Sequence, residues 1–318
     1  MNRIRDIIQE IVEVRQRQQF GIAMAELSSR LLALEHAFKK HDKSENELIR
    51  YFPVALIACV ESYFRIAIKD LIDAGEPFLS NAEKPSSSIK LDFSVLRAVH
   101  GKAITVGELV AHGVQLSRFE HIEAVLSKLI GCGFLEALRK TTDRWAHEVM
   151  GKPAVPILTR PDEVFADVAR TFELRHIICH EIASAYEIKS EEVERCFESC
   201  VAFLRAANEF ITETIYPNAP LTQTDMNIEA GKSLDEKHKH LADVVTKIRS
   251  RLDGGELTAF DESQDKWQSY CESWANFVAG KRVDGGTIWP LIYAGTAEGV
   301  VTRRIAEITS VKNFGEGS

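Results

Sequence analysis

The stretch PVALIACVESYFRIAIKDLID, residues 53–73, decides the fold class of this chain. Its apolar side chains recur at steps of three or four residues, at Ile57, Val60, Phe64, Ile68 and Leu71. This spacing places them on one face of an α-helix, because a helix turns once every 3.6 residues. We expect Pro53 to begin the helix and Gly75 with Pro77 to end it.

The same helical period continues on both sides of this stretch. Upstream, residues 4–40 predict one long amphipathic helix or two in series. Downstream, a helix should begin at Thr105, which has Glu108 three residues later in capping-box order, and others after Pro161 and Ser190. Alternation typical of β-strands never exceeds four residues, so the sequence predicts an all-α fold.

Length and composition indicate two domains. The chain has 318 residues and 45% hydrophobic content, which is enough to bury a core, and its 27% charged content is ordinary for a folded protein. The polar residues 217–232 predict a linker between a helical domain at 1–216 and a smaller one at 233–318. Within the second domain, Trp267 and Tyr270 are expected in the core.

The charge balance limits the partners of the chain. A net charge of −8 makes it a poor non-specific nucleic-acid binder, because phosphates repel it. Any RNA site must therefore be a local basic cleft, within one chain or completed by a second copy. The glycine pairs at 254–255 and 285–286 belong to no dinucleotide or phosphate-binding loop and are expected to be turns.

Cysteine usage and the N-terminus predict a cytoplasmic protein. None of the six cysteines forms a CxxC pair, and most lie within apolar helical patterns, as reduced buried thiols do. The first residues, MNRIRDIIQEIVEVRQRQQ, contain charges every two or three positions, so they are not a signal peptide. No uncharged apolar stretch approaches about 18 residues, so we expect no membrane span.

The segment FELRHIICHE, residues 172–181, contains the side chains best suited to chemistry. Arg175 and His180 are five residues apart, so their Cα atoms are offset by roughly 140° around an ideal helix. Long side chains at a helix end, or a local distortion, could still converge on one cleft. An imidazole can move the proton of a ribose 2′-hydroxyl, and a guanidinium can stabilise charge on a phosphate. His176 adds a second polar group.

Other interpretations of the same residues remain open. Arg175 could be a solvated side chain, and His180 a core histidine that holds one polar contact. His176 and His180 share a helix face and could suggest a metal site, but no HExxH, CxxC or third ligand accompanies them. We therefore expect no metal and no cofactor.

The pattern RHIICH resembles the Rx4-6H motif of HEPN domains, of the RiboL-PSP-HEPN/MAE-like type within that ribonuclease superfamily. Residues 53–73 look like the helix upstream of the motif, and residues 104–113 with 119–138 are similar to the middle segment of some HEPN families. Residues 191–215 look like the helix that follows the motif. The resemblance covers roughly residues 25–215 of the chain.

The HEPN resemblance implies a bundle of four to six helices that dimerises, with the two motif helices facing one another across a shared cleft. It implies that Arg175 and His180 form the catalytic pair of an endoribonuclease and that His176 is an auxiliary group. Glu61 is implied as a helper. From the residues alone, Glu61 could instead be a buried acid paired with Arg65 or Arg175, since an unpaired buried carboxylate is costly.

The C-terminal segment resembles the lysozyme-inhibitor LprI-like family. The resemblance rests on QDKWQSY at 264–270, the glycine pair at 285–286 and TRR at 302–304, with these positions on the pattern: Gln264, Trp267, Tyr270, Gly285, Gly286, Pro290 and Arg304. That family is typically secreted and contains cysteines, but the matching positions here hold Ala275 and Thr296. Their loss is typical of a reducing compartment. We expect a helical module that recognises a protein partner.

Two functions follow as hypotheses. The first is a homodimeric, metal-independent endoribonuclease with a toxin or antiviral defence role and RNA as its substrate. The second is a catalytically inactive HEPN dimer that acts as a scaffold or sensor and presents its LprI-like domain to a protein partner. A positive groove around Arg175 would favour the nuclease, and a neutral one would favour the scaffold.

Overall fold

The computed structural model describes residues 3–18, 23–84, 93–101, 103–181, 185–283 and 286–310. By its internal contacts the chain divides into unit 1, Met1–Asn218, and unit 2, Ala219–Ser318. Across the described ranges the regular structure is helical, and the β-type pairing seen is one isolated bridge between Thr142 and Pro156. The predicted all-α fold class is confirmed.

Unit 1 is a bundle built around one long central helix. Its α-helices, as far as the chain is described, are α1 (Arg3–Arg17), α2 (Ala23–Lys40), α3 (Asn46–Asp73), α4 (Phe78–Asn81), α5 (Phe93–His100), α6 (Val106–Gly113), α7 (Phe119–Ile130), α8 (Phe134–Leu138), α9 (Pro161–His180) and α10 (Ser190–Ile215). A π-helical turn, Trp145–Val149, lies between α8 and α9.

Aromatic packing fixes α7 and α9 against the centre of unit 1. α3 contacts α2, α6, α9 and α10, and Phe64 on α3 lies edge-on to Phe134 with ring centroids 6.0 Å apart. The ring of Phe203 on α10 lies 5.5 Å from that of Phe119 and 6.2 Å from that of Phe165. Burying each such ring contributes about 1.5–3 kcal/mol. The first turn of α7 is thereby held beside α9.

The predicted start of the central helix is wrong. α3 begins at Asn46, and Pro53 lies inside it. Proline lacks the N–H that would bond to the carbonyl of Ile49, and this normally costs a helix about 3 kcal/mol. Ile49 and Phe52 are buried together with Phe38 from α2 and Leu174 from α9. We attribute the extra two turns to this burial, which offsets the missing hydrogen bond.

The predicted capping box at the start of α6 is confirmed. Thr105 Oγ1 accepts a hydrogen bond from Glu108 N over 3.0 Å, and Glu108 Oε2 accepts one from Thr105 N over 2.7 Å. Asp73 at the end of α3 joins this cap, because its carboxylate accepts hydrogen bonds from Thr105 Oγ1 and from Gly107 N. A Cβ on Gly107 would lie 2.5 Å from the carbonyl oxygen of Lys69, so the close approach requires glycine.

α3 is also the helix that meets the length and hydropathy expected of a membrane span, among the residues described. An 18-residue window within Asn46–Asp73 has a mean hydropathy of 1.5 and few charges. However, 61% of that window is buried inside the protein, as in the core helix of a globular domain. Length and composition alone therefore do not show that α3 crosses a membrane.

Within its described residues, unit 2 consists of three long helices, α11 (Gln223–Arg249), α12 (Gly254–Val283) and α13 (Trp289–Ser310). α13 packs against both of the others, around a core that includes Leu241, Ala275 and Val301. The predicted linker 217–232 is too long, because α11 starts well before its end. Thr222 Oγ1 accepts from Asp225 N over 3.1 Å and caps α11 there. The turn predicted at Gly285 falls on a residue outside the described ranges.

Candidate active site

An open cavity of about 510 Å³ lies between the first turn of α7 and the C-terminal half of α9. Three of the four predicted site residues, Arg175, His176 and His180, line this cavity together. The full lining consists of Ser117, Arg118, Phe119, Glu120, Ala169, Phe172, Glu173, Arg175, His176 and His180. The structure therefore brings the Arg/His constellation to one solvent-accessible place.

α9 positions these side chains by burying their neighbours. Phe172 and Leu174 point into the apolar core, which turns Arg175 and His176 toward the surface. The helix stays α-helical through His180, its last residue, and Glu181 N closes the end by bonding to the carbonyl of Ile177. The Cα atoms of Arg175 and His180 are offset by roughly 140° around this regular helix. Both side chains still reach the same cavity because that of Arg175 is long and His180 lies at the helix end, and not because the backbone is distorted.

The two arginines of α9 have opposite environments. Arg170 donates to Glu192 over 2.8 Å and to Glu173 over 2.6 Å, and it also bonds to the Tyr186 hydroxyl. Burial opposes the charge of Arg170, but these partners outweigh it and raise the pKa of the guanidinium. Arg175, by contrast, has no ion pair or hydrogen bond with any residue that the structure describes. Its charge is available to a ligand.

The two histidines form an adjacent pair at the end of α9. The ring centroids of His176 and His180 are 5.1 Å apart, with an interplanar angle of 45°. His176 Nε2 lies 4.0 Å from Glu181 Oε1 in a solvent-exposed position. His180 is exposed as well, which rules out its alternative interpretation as a core histidine. Both imidazoles can reach a ligand from solvent.

Glu61 lies apart from this group. It is on α3 and does not line the cavity, and its Oε1 atom is buried without a hydrogen-bond partner among the described residues. Neither ion pair suggested for it forms within that part of the chain. Arg65 instead donates to the carbonyl oxygens of Ala111 and His112, over 2.8 and 3.3 Å. The structure therefore does not join Glu61 to the Arg/His constellation.

Besides Glu173 on α9, sequence reasoning missed two charged residues of the cavity, Arg118 and Glu120. Both come from the start of α7, more than fifty residues before the motif. The sequence signal available was their position at the start of a helix, since residues at a helix N-terminus are exposed and well placed to face a neighbouring helix. Periodicity alone does not say which helix lies alongside.

In unit 2, three of the residues on the LprI-like pattern meet around one partly buried guanidinium. Arg304 on α13 donates to Gln264 Oε1 over 3.4 Å and lies 5.9 Å from the Trp267 ring centroid. It also donates to Ser263 Oγ over 2.7 Å. Because these contacts join α13 to α12, they stabilise the packing of the two helices.

Tyr270 does not lie in the core as predicted. Its side chain is 53% exposed and stacks on Trp274, with ring centroids 6.4 Å apart. The buried positions of this part of α12 are Cys271 and Ala275, one helical turn apart. Tyr270 and Trp274 occupy the neighbouring stripe of the helix and therefore remain at the surface.

Comparison with known proteins identifies unit 2 alone. Residues 217–308 match the family model described as Lysozyme inhibitor LprI. No curated protein and no solved structure matches the chain. The HEPN resemblance of residues 25–215 stays a prediction. The C-terminal unit is an LprI-like helical domain, joined to an all-α unit that contains an Arg/His cavity.

Proposed function

We propose that the chain is a metal-independent endoribonuclease of the HEPN type, with its active site in the Arg175/His180 cavity. The observation that carries the proposal is the convergence of Arg175, His176 and His180 on one open cavity. Arg175 is unpaired among the described residues, and both imidazoles are exposed. A buried imidazole would have ruled this chemistry out.

The reaction is an internal transesterification followed by release of the product. His180 accepts the proton of a ribose 2′-hydroxyl, and the 2′ oxygen attacks the adjacent phosphorus. The bond to the 5′ oxygen breaks, and that oxygen takes up a proton. The products are a 2′,3′-cyclic phosphate and a 5′-hydroxyl, so no water or metal enters the balance. His176, 5.1 Å from His180, is our candidate for the acid.

Arg175 stabilises the phosphorane-like transition state. Negative charge grows on the non-bridging oxygens as the 2′ oxygen attacks, and a guanidinium donates charge-assisted hydrogen bonds to them. Losing one donor of this kind typically lowers kcat by about 10²–10³. We further propose that the active form is a homodimer, because a second copy would bring its own unpaired Arg175 to the cleft of an otherwise acidic chain.

We also propose that the chain acts in the cytoplasm as a defence or toxin protein. The cysteines are free, and in the resemblance to the LprI-like family Ala275 stands where that family is expected to have a cysteine. A disulfide-free version of a normally secreted module suits a reducing compartment. In this account the LprI-like domain recognises a partner or trigger protein, and the Arg/His unit cleaves RNA.

A second candidate function is a catalytically inactive scaffold or sensor. The observation favouring it is the exposed pair Tyr270 and Trp274 on the LprI-like domain, since exposed aromatic side chains are enriched in protein interfaces. Under this proposal Tyr270→Ser weakens partner binding by the full chain, and His180→Ala changes no measured activity.

The test of the nuclease is cleavage of RNA by the purified chain in EDTA. We expect the wild type to cleave and His180→Ala to lose activity by at least about 10². His36→Ala is the matched control, because His36 is also an exposed helical histidine but lies on α2, outside the cavity. Equal cleavage by the wild type and His180→Ala would contradict the assignment.

A further inference from the structure

The cavity beside α9 contains a second guanidinium, that of Arg118, which has no part in the mechanism above. Arg118 is the residue before α7, and its side chain does not cap the helix. It is exposed, and it forms no ion pair or hydrogen bond with any side chain in the described part of the chain. Arg118 and Arg175 thus line the same cavity from two different segments, the start of α7 and the C-terminal half of α9.

The backbone of Arg118 is fixed although its side chain is free. Its carbonyl accepts hydrogen bonds from His121 N over 3.2 Å and Ile122 N over 3.4 Å. The next residue, Phe119, is buried against Phe203. The backbone that carries this guanidinium is therefore ordered before a ligand binds, which reduces the conformational entropy lost on binding.

Among the described residues, no acidic side chain of the cavity forms an ion pair with Arg118 or Arg175. Glu173 belongs to the network of Arg170, which is bound to it over 2.6 Å. Glu120 lines the cavity but pairs with no cation that the structure describes. Two acids and two unpaired arginines therefore share the site, and their formal charges cancel. Attraction of a phosphate there depends on the two free guanidinium groups and not on a net positive charge.

We infer that Arg118 binds a backbone phosphate of the RNA adjacent to the one held by Arg175. This inference rests on the proposed ribonuclease function. An RNA strand carries one phosphate per nucleotide, and a planar guanidinium matches the geometry of phosphate oxygens. Two guanidinium groups in one cavity hold two positions of a single strand. Arg118 is a binding residue, and Arg175 acts at the reacting phosphate.

The role predicts a specific change in salt dependence. For single-stranded nucleic acid, each phosphate neutralised by a protein cation contributes about 0.7 to the slope of log K against log salt. Arg118→Gln should weaken binding about tenfold, lower the slope by about 0.7 and raise KM with little change in kcat. Arg175→Gln should instead lower kcat.

The experiment is titration of a fluorescent, 2′-O-methylated single-stranded RNA at several salt concentrations, with the full chain. This probe binds but lacks the nucleophilic hydroxyl. Arg160→Gln is the matched control, because Arg160 also precedes a helix and is exposed, but lies at the opposite end of α9 from His180. Cleavage of unmodified RNA in EDTA is measured in parallel.

The outcomes separate the two proposals. A weaker affinity and a smaller slope for Arg118→Gln, with Arg160→Gln like the wild type, supports the inference. If the wild type cleaves RNA and Arg118→Gln has the same slope of log K against log salt, the inference about Arg118 is wrong and the proposed ribonuclease function still stands. A wild type that neither binds the probe nor cleaves RNA overturns both.

Discussion

Arg170 Nε donates a hydrogen bond to Glu192 Oε1 over 2.8 Å, which fastens α9 to α10. Arg175 lies five residues further along α9 and has no such partner in the described part of the chain. One arginine therefore holds the motif helix in place, and the other faces the cavity. Substitution by glutamine should therefore lower the stability of the chain at Arg170 and leave it nearly unchanged at Arg175.

Arg170→Gln should lower the free energy of unfolding by about 1.5–3 kcal/mol, because it breaks charge-assisted hydrogen bonds between two helices. Arg175→Gln should change it by less than about 0.5 kcal/mol, as expected at a half-buried position without a polar partner among the described residues. Urea denaturation monitored by circular dichroism measures both. A larger loss of stability for Arg175→Gln than for Arg170→Gln would reverse the assigned roles.

Gly107→Ala should destabilise unit 1 by about 1–3 kcal/mol, because the added methyl would lie 2.5 Å from the carbonyl oxygen of Lys69. Gly231→Ala is the control within the same chain. Gly231 lies in α11, and a methyl added there would meet no atom within 4 Å, so alanine should stabilise that helix by about 0.4–1 kcal/mol. Thermal unfolding of both variants gives the comparison, and equal effects would contradict the close α3–α6 contact.

Thiol reactivity should divide the cysteines into two groups. Cys132 and Cys179 are exposed and should react with a disulfide reagent at pH 8 within minutes. Burial raises the pKa of Cys200 to about 12, so its thiolate fraction at pH 8 is about one part in ten thousand. Burial also raises the pKa of Cys59 and Cys196. Fast reaction of more than two thiols in the native chain would count against this packing.

Glu61→Gln should retain RNA cleavage and should not lower stability. Glu61 lies outside the cavity, and its buried oxygen has no hydrogen-bond partner among the described residues, so the carboxylate carries a desolvation cost that the neutral amide reduces. Cleavage rate and melting temperature are the two readouts. Loss of cleavage with an unchanged melting temperature would restore Glu61 as a catalytic helper.

Local signals in the sequence predicted the helix starts well. Thr105 with Glu108 forms the expected capping box, and α9 and α10 begin at Pro161 and Ser190, where helices were expected. Pro53 misled the prediction because burial of Ile49 and Phe52 overrides a local preference. The predicted linker was too long because polarity does not distinguish a loop from an exposed helix such as the first turns of α11.

The candidate site was predictable only in part. Arg175 and His180 are close in sequence, so the motif could suggest them, although an ideal helix offsets them by roughly 140°. Arg118 and Glu120 reach the cavity through the packing of α7 on Phe203, a tertiary contact that no local pattern encodes. Tyr270 was predicted in the core because it is a large aromatic residue. Its exposure depends instead on which face of α12 is covered by α13, and Tyr270 lies outside that face.

The chemical groups at the ends of the RNA fragments would show whether the chain cleaves by attack of a 2′-hydroxyl. Wild-type protein is incubated with a defined RNA in EDTA, and the fragments are analysed by mass spectrometry. We expect 2′,3′-cyclic phosphate and 5′-hydroxyl ends, and no cut where the nucleotide bearing the attacking hydroxyl is replaced by its 2′-deoxy form. Fragments with 5′-phosphate ends, or cleavage at the 2′-deoxy position, would contradict this mechanism.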